Sequence, residues 1–148
     1  MNYFFALLCS MLLTVVTFVS DGAPAIADAL ASQAPDNAQA YIISPQDGTT
    51  VSSPFTVQFG LSGMGIAPAG VDRSETGHHH LLVDLETLPE FDQALSATEN
   101  IKHFGGGQTE ATLELSPGEH TLQLVLGNYA HIPHNPPVMS EPITITVK

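Results

Sequence analysis

Seven histidines carry the chemical interest of this chain: His78, His79, His80, His103, His120, His131 and His134. Imidazole is the commonest protein ligand for borderline divalent ions, and it titrates near neutrality without help from its surroundings. The spacing adds to the interest. In an extended strand, side chains two apart share a face about 6.5–7 Å apart along the backbone, so His78 and His80 can converge on one ion while His79 points the other way. A metal–nitrogen bond of about 2.0–2.1 Å makes that convergence reasonable. His131 and His134 stand in Ala130-His131-Ile132-Pro133-His134-Asn135-Pro136-Pro137. Its three prolines restrict φ and leave a loop presenting both rings with little freedom to lose. His103 precedes Phe104 and then Gly105-Gly106-Gly107, a run that permits close backbone approach.

These residues predict a histidine site for a copper or zinc ion, with His78, His80, His103, His131 and His134 as candidate ligands. It would be assembled from His78 or His80, His103, and His131 or His134. Asp84 and Glu110 are candidate acceptors for ring N–H groups that would hold ligand rings in place. Met64 and Met139 could turn the choice toward copper as soft thioethers, but nothing in their spacing requires it, and both read as packing residues. His120 shares parity with Leu122, Leu124 and Leu126 after a turn and reads as structural. For His79, in phase with Leu81, Val83 and Leu85, packing and ligation are equally open. The bland alternative is that the histidines are architectural and satisfied by backbone carbonyls, since no spacing here is a diagnostic motif.

Composition narrows the partners. Fifteen Asp and Glu against three basic residues, Arg73, Lys102 and Lys148, give a formal charge of -12. Nucleic acid and anionic membrane surfaces are repelled, and a cation is the natural small partner. The single cysteine, Cys9, lies in the first apolar run. The chain beyond it therefore has no disulfide, no cysteine-based zinc or iron–sulfur site and no thiol nucleophile. Nucleophile elbow, phosphate loop, H-E-x-x-H and dinucleotide fingerprint are all missing. Asp84 and Glu86 share a strand face suited to general acid–base work, yet acidic pairs on a chain of this charge are ordinarily solvated surface. A non-enzymatic metal-binding module for storage, delivery or buffering is favoured. The rivals are a structural or protein-interaction module, with a periplasmic protein as its partner, and a small metal-dependent oxidoreductase.

The elements that must position these residues are strands. Residues 4–19 form an apolar run followed by Ala25-Ile26-Ala27 and Ala29-Leu30-Ala31, an export-signal pattern although the first three residues lack Lys or Arg. The expected organisation is a signal peptide over 1–27, a flexible linker over 28–39 and a β-sandwich domain over 40–148, periplasmic or secreted and free of the membrane after cleavage. An uncleaved anchor is the alternative, disfavoured because the apolar run is short for a spanning helix. Strands are expected over residues 40–44, 54–61, 78–85, 111–115, 119–126 and 142–147, the last as an edge strand, with Pro117-Gly118 as a hairpin turn. Residues 85–103 read as an irregular crossover in which Leu88, Phe91 and Leu95 could line one side of a short helix or ordered loop. About seven strands complete an immunoglobulin-like antiparallel β-sandwich.

Five blocks in order then match a known pattern: residues 63–70 (GMGIAPAG), 77–84 (GHHHLLVD), 103–110 (HFGGGQTE), 117–124 (PGEHTLQL) and 131–138 (HIPHNPPV). Together they resemble the bacterial domain-of-unknown-function family 4399 over essentially all of residues 41–148. The resemblance implies a secreted or periplasmic β domain and draws attention to the histidine blocks without assigning chemistry. The family often carries an acidic residue near the positions of Asn128 and Asn135. A side-chain carbonyl oxygen would take that place here.

Overall fold

Alternation of apolar and polar residues drives this chain into strands, most clearly where Val57 and Phe59 are buried between the exposed Thr56 and Gln58. The computed structural model describes residues 32–148. The expected signal peptide and the first residues of the expected linker lie outside them. The described residues form nine strands: β1 (Gln39–Ser44), β2 (Thr50–Val51), β3 (Phe55–Ser62), β4 (Gly65–Ile66), β5 (Thr76–Val83), β6 (Ile101–His103), β7 (Glu110–Leu113), β8 (Gly118–Gly127) and β9 (Ile143–Val147).

One sheet has the order β1-β3-β7. The other runs β2-β9-β8-β5-β4, with β6 also paired to β5. Ala40, Val57, Phe59 and Leu113 from the first meet Leu81, Val83, Leu122, Leu124, Leu126, Ile145 and Val147 from the second in one core. The architecture is the expected all-β sandwich. Its seven longer strands are joined by the two-residue β2 and β4, each parallel to its neighbour, so the larger sheet is mixed.

Two details differ from expectation. Pro117-Gly118 is not a hairpin turn: β7 pairs with β3 in the smaller sheet, while β8 pairs with β5 and β9 in the larger. Leu113 and Leu122 reach the same core from opposite sheets, so the apolar pattern on either side of the turn is the same whether the chain folds back or crosses over. The final strand β9 is not an edge, because β2 pairs along its outer side. Residues 85–100 form the expected irregular crossover, without a helix, and of the three spaced apolar residues Leu95 is buried, Phe91 half-buried and Leu88 exposed. The described end of the expected linker lies against the sandwich: Ala34 N–H donates to the Asn135 carbonyl and Asn135 N–H to that of Ser32, at 3.1 and 2.9 Å.

For the site, the decisive feature is β5. Every residue from Gly77 to Val83 is buried, so this strand is covered on both faces. His79, Leu81 and Val83 face the core between the sheets, where His79 lies 5.3 Å from the Phe59 ring. The opposite face carries His78, His80 and Leu82. There Leu82 joins Leu95, Ile101 and Val125 in a second small cluster, with Phe91 and Met139 packed against it. The 84–100 segment that roofs this face is tied down by Asn100, whose carbonyl accepts from Val83 N–H and whose Nδ2 donates to the Val83 carbonyl, both at 2.8 Å.

Candidate metal centre

Strand register assembles the centre. His78 and His80 project from one face of β5 because they are two residues apart. β6 pairs antiparallel with β5 so that His103 stands directly opposite His80, and β8 places Gly127 opposite His78. The fourth ring, His131, comes from the loop that follows β8. Ring centres lie 4.8 Å apart for His78 and His80, 5.1 Å for His78 and His103, and 5.2 Å for His80 and His103. His131 lies 5.0, 6.0 and 4.8 Å from His78, His80 and His103. Ligand nitrogens of His78, His80 and His103 fall within 4.8 Å of one another, close enough to hold one metal ion.

Burial grades outward. His78 and His80 are 0% exposed, His131 is half-buried and His103 exposed. None of the four ring nitrogens of His78 and His80 has a hydrogen-bond partner. Burial, reinforced by the rings of His131 and His103, holds His78 down at about 4. Burial and the His78, His103 and His131 rings take His80 to about 3. His103, although exposed, is lowered by partial desolvation and next by His131. The two inner imidazoles are thus neutral at pH 7, the form whose lone pair binds a metal. Histidine alone makes up the group of mutually close donors among the described residues, so an ion held there would keep its full charge.

Two glycines leave room for the rings. A Cβ at Gly127 would sit 2.7 Å from His80 Cε1, and one at Gly105 would overlap His103 Cε1, both well inside contact distance. His131 has φ 67, a left-handed conformation that is uncommon outside glycine although His, Asn and Asp adopt it more than most. Asn128 fixes that turn. Its Oδ1 accepts from Ala130 and Ile132 N–H at 2.9 and 3.1 Å, its carbonyl accepts from His131 N–H, and the His131 carbonyl in turn accepts from Leu95 N–H.

The other expected participants are elsewhere. His134 is buried outside the three-histidine group, though near enough to His78 to help lower its pKa, with Nδ1 3.4 Å from the Leu126 carbonyl and Nε2 3.2 Å from that of Thr76. A neutral ring donates to one of them, and burial lowers its pKa. Asp84 serves His120 instead of a ligand ring: His120 Nδ1 donates to Oδ2 at 2.7 Å, and Oδ1 accepts from Thr121 N–H. Glu110 lies on β7 in the other sheet, where it accepts from Gln58 Nε2. Met64 and Met139 pack against the two apolar clusters. His79 has no hydrogen-bond partner on either ring nitrogen, and burial lowers its pKa to about 4. Asn128 acts as a brace for the His131 turn, and Asn135 is exposed.

The roles of Gly127 and Asn128 were not picked out from the residues alone. A cross-strand neighbour 47 positions from His80 leaves no local signal, whereas Asn two residues before Ala130 is an Asx-turn pattern that could have been found.

A family model described as Domain of unknown function (DUF4399) matches residues 57–148. The chain belongs to this family. The match runs from within β3 to the last residue and includes all seven histidines; β1, inside the resemblance read from the residues, precedes it. No curated protein and no solved structure matches the chain. The DUF4399 region therefore contains the whole candidate centre, the strands that carry its histidines and the His131 loop.

Proposed function

We propose that this protein is a periplasmic or secreted metal-binding module that stores, delivers or buffers copper or zinc, using the His78, His80 and His103 group. One observation carries the reading: two imidazoles at 0% exposure whose ring nitrogens meet no hydrogen-bond partner, beside a third on the next strand. An unsatisfied buried polar group costs about 1–3 kcal/mol. A bound ion would convert that cost into bonds. The acidic chain supports the reading because it concentrates cations around itself, and the export-signal pattern supports the location.

His79 favours a second reading. It is as buried and as partnerless as its neighbours but faces the interlayer core, so burial without a hydrogen-bond partner does not by itself mark a ligand. On that basis the histidines would be architectural and the domain a structural or protein-interaction module.

Titration calorimetry of copper(II) and zinc(II) into the purified chain separates the two, with His78→Ala/His80→Ala/His103→Ala as the comparison. Binding of one equivalent that is lost in the variant is expected. Saturation should also raise the melting temperature, by the equivalent of about 2.7 kcal/mol at a free-ion concentration 100 times Kd. Less than half an equivalent retained after desalting, for both metals, would overturn the proposal.

A further inference from the structure

The three-histidine group leaves open whether the ion keeps a vacant position, and that question decides between holding a metal and doing chemistry with it. We propose that His131 closes the centre as a fourth imidazole ligand, giving a pseudo-tetrahedral site suited to zinc(II) with no position left for a substrate. This rests on the metal-binding reading above and specifies its ion and its coordination.

The ring positions carry the argument. Four imidazole nitrogens bonded at about 2.0–2.1 Å place their ring centres about 3.2 Å from the ion, hence about 5.2 Å apart at the corners of a tetrahedron. A square-planar set would instead show four neighbour separations of about 4.5 Å and two opposite ones of about 6.4 Å. Here five of the six separations lie between 4.8 and 5.2 Å, and the sixth, His80 to His131, is 6.0 Å. Only one pair is stretched, where a planar arrangement requires two. The four ring centres already surround a common point at the spacing of a slightly flattened tetrahedron.

Chemistry and backbone agree with the geometry. Tetrahedral coordination by nitrogen is a zinc preference, while copper(II) favours tetragonal sets. Both methionines are engaged in the apolar clusters, so the four rings offer no thioether to favour copper. His131 occupies a left-handed position that glycine would fill at lower cost, and the turn is held on both sides, by Asn128 and by Leu95. Backbone that is over-determined in this way aims a side chain, and here it aims one at the other three rings. The mutually close ligand nitrogens are those of His78, His80 and His103, so it is the His131 ring, near the other three by its centre, that must turn to bring a nitrogen to the ion.

Cobalt(II) provides the test, because tetrahedral cobalt(II) absorbs intensely in the visible and five- or six-coordinate cobalt(II) weakly. The protein is titrated with cobalt(II), then zinc(II) is added in competition, for wild type, His131→Gly, His78→Ala/His80→Ala and a His120→Asn control. Glycine suits the φ of residue 131, so His131→Gly removes the ring and keeps the turn, and its metal-free melting temperature should match or exceed that of wild type. Wild type and control should show the intense tetrahedral spectrum at one equivalent. His131→Gly should show a changed spectrum, because water replacing the ring leaves a three-histidine ion with shifted or weakened bands, and zinc affinity reduced by more than about 100-fold, beyond what loss of a merely supporting partner costs. An unchanged spectrum with affinity within about threefold in His131→Gly, while His78→Ala/His80→Ala still abolishes binding, would overturn the fourth ligand and leave the metal-binding reading intact. A weak spectrum already in wild type would refute the closed tetrahedral site. No binding by wild type would remove both.

Discussion

Gly127→Ala tests how tightly the sandwich defines the proposed metal centre. Residue 127 is paired with His78 in the β5–β8 ladder, and its φ lies outside the left-handed region, so alanine meets only a contact problem there. The new Cβ would lie 2.7 Å from His80 Cε1, 3.1 Å from His80 Nδ1 and 3.3 Å from the His131 carbonyl carbon. Carbon atoms pack at about 3.5–4.0 Å, so the His80 ring must retreat by roughly 0.8–1.3 Å or the strands must part. Metal sites tolerate about 0.2 Å of error in ligand distance, so a retreat of that size takes the His80 nitrogen out of bonding range unless the strain is repaid on binding. Overpacking of this kind costs about 1–3 kcal/mol. Where the ring swings aside in the metal-free protein and returns to the ion, that cost appears as a loss of about 5- to 150-fold in affinity with little change in metal-free stability. Zinc calorimetry and thermal melts without zinc measure the two quantities separately. Affinity within about threefold of wild type, together with an unchanged melting temperature, would show that His80 does not hold the ion from the observed position.

Two further outcomes concern histidines outside the centre. His79→Leu replaces a core imidazole that has no hydrogen-bond partner by an apolar side chain of similar size; it should stabilise the fold by about 1–3 kcal/mol in denaturant titrations while leaving zinc affinity unchanged, and a destabilised variant would mean that a buried water or other partner satisfies the ring. His120 has its pKa raised, chiefly by its hydrogen bond to Asp84 and next by that to the Ser116 carbonyl. A raised folded-state pKa stabilises fully below the unfolded value of about 6.5 and ceases to do so as the pH climbs through the folded value. Asp84→Asn keeps an oxygen acceptor for Thr121 N–H and removes the charge, so the melting-temperature difference from wild type should be larger at pH 6 than at pH 8.5; a difference that grows with pH would reverse the assignment.

The all-β class was legible because strands such as β3 and β9 keep period-two alternation over most of their length. Connectivity was harder to read, since Pro117-Gly118 looks the same locally whether the chain folds back into one sheet or crosses to the other. Within the centre, His78 and His80 follow from strand geometry alone, and His103 was singled out through its glycine run. Its placement opposite His80, however, depends on pairing across more than twenty residues. The proline-rich segment drew equal attention to His131 and His134, but only His131 stands at the apex of the Asn128 turn; His134, three residues on, is spent on backbone carbonyls. Asp84, a candidate acceptor for a ligand ring, is instead captured by His120 on β8, which the strand pairing brings beside it.

The pleat of β5 also makes the centre a record of strand register. His78 and His80 face one way and His79, Leu81 and Val83 the other, so a slip of one residue against β8 would exchange the two sets, sending two imidazoles into the apolar interior and leaving a single one outside. A mispaired chain could therefore retain strand content and compactness and still have nothing with which to grip an ion. If the centre holds a metal as proposed, its occupancy would report the correct pairing of three strands at once, and an ion present during folding would select that alignment from its neighbours.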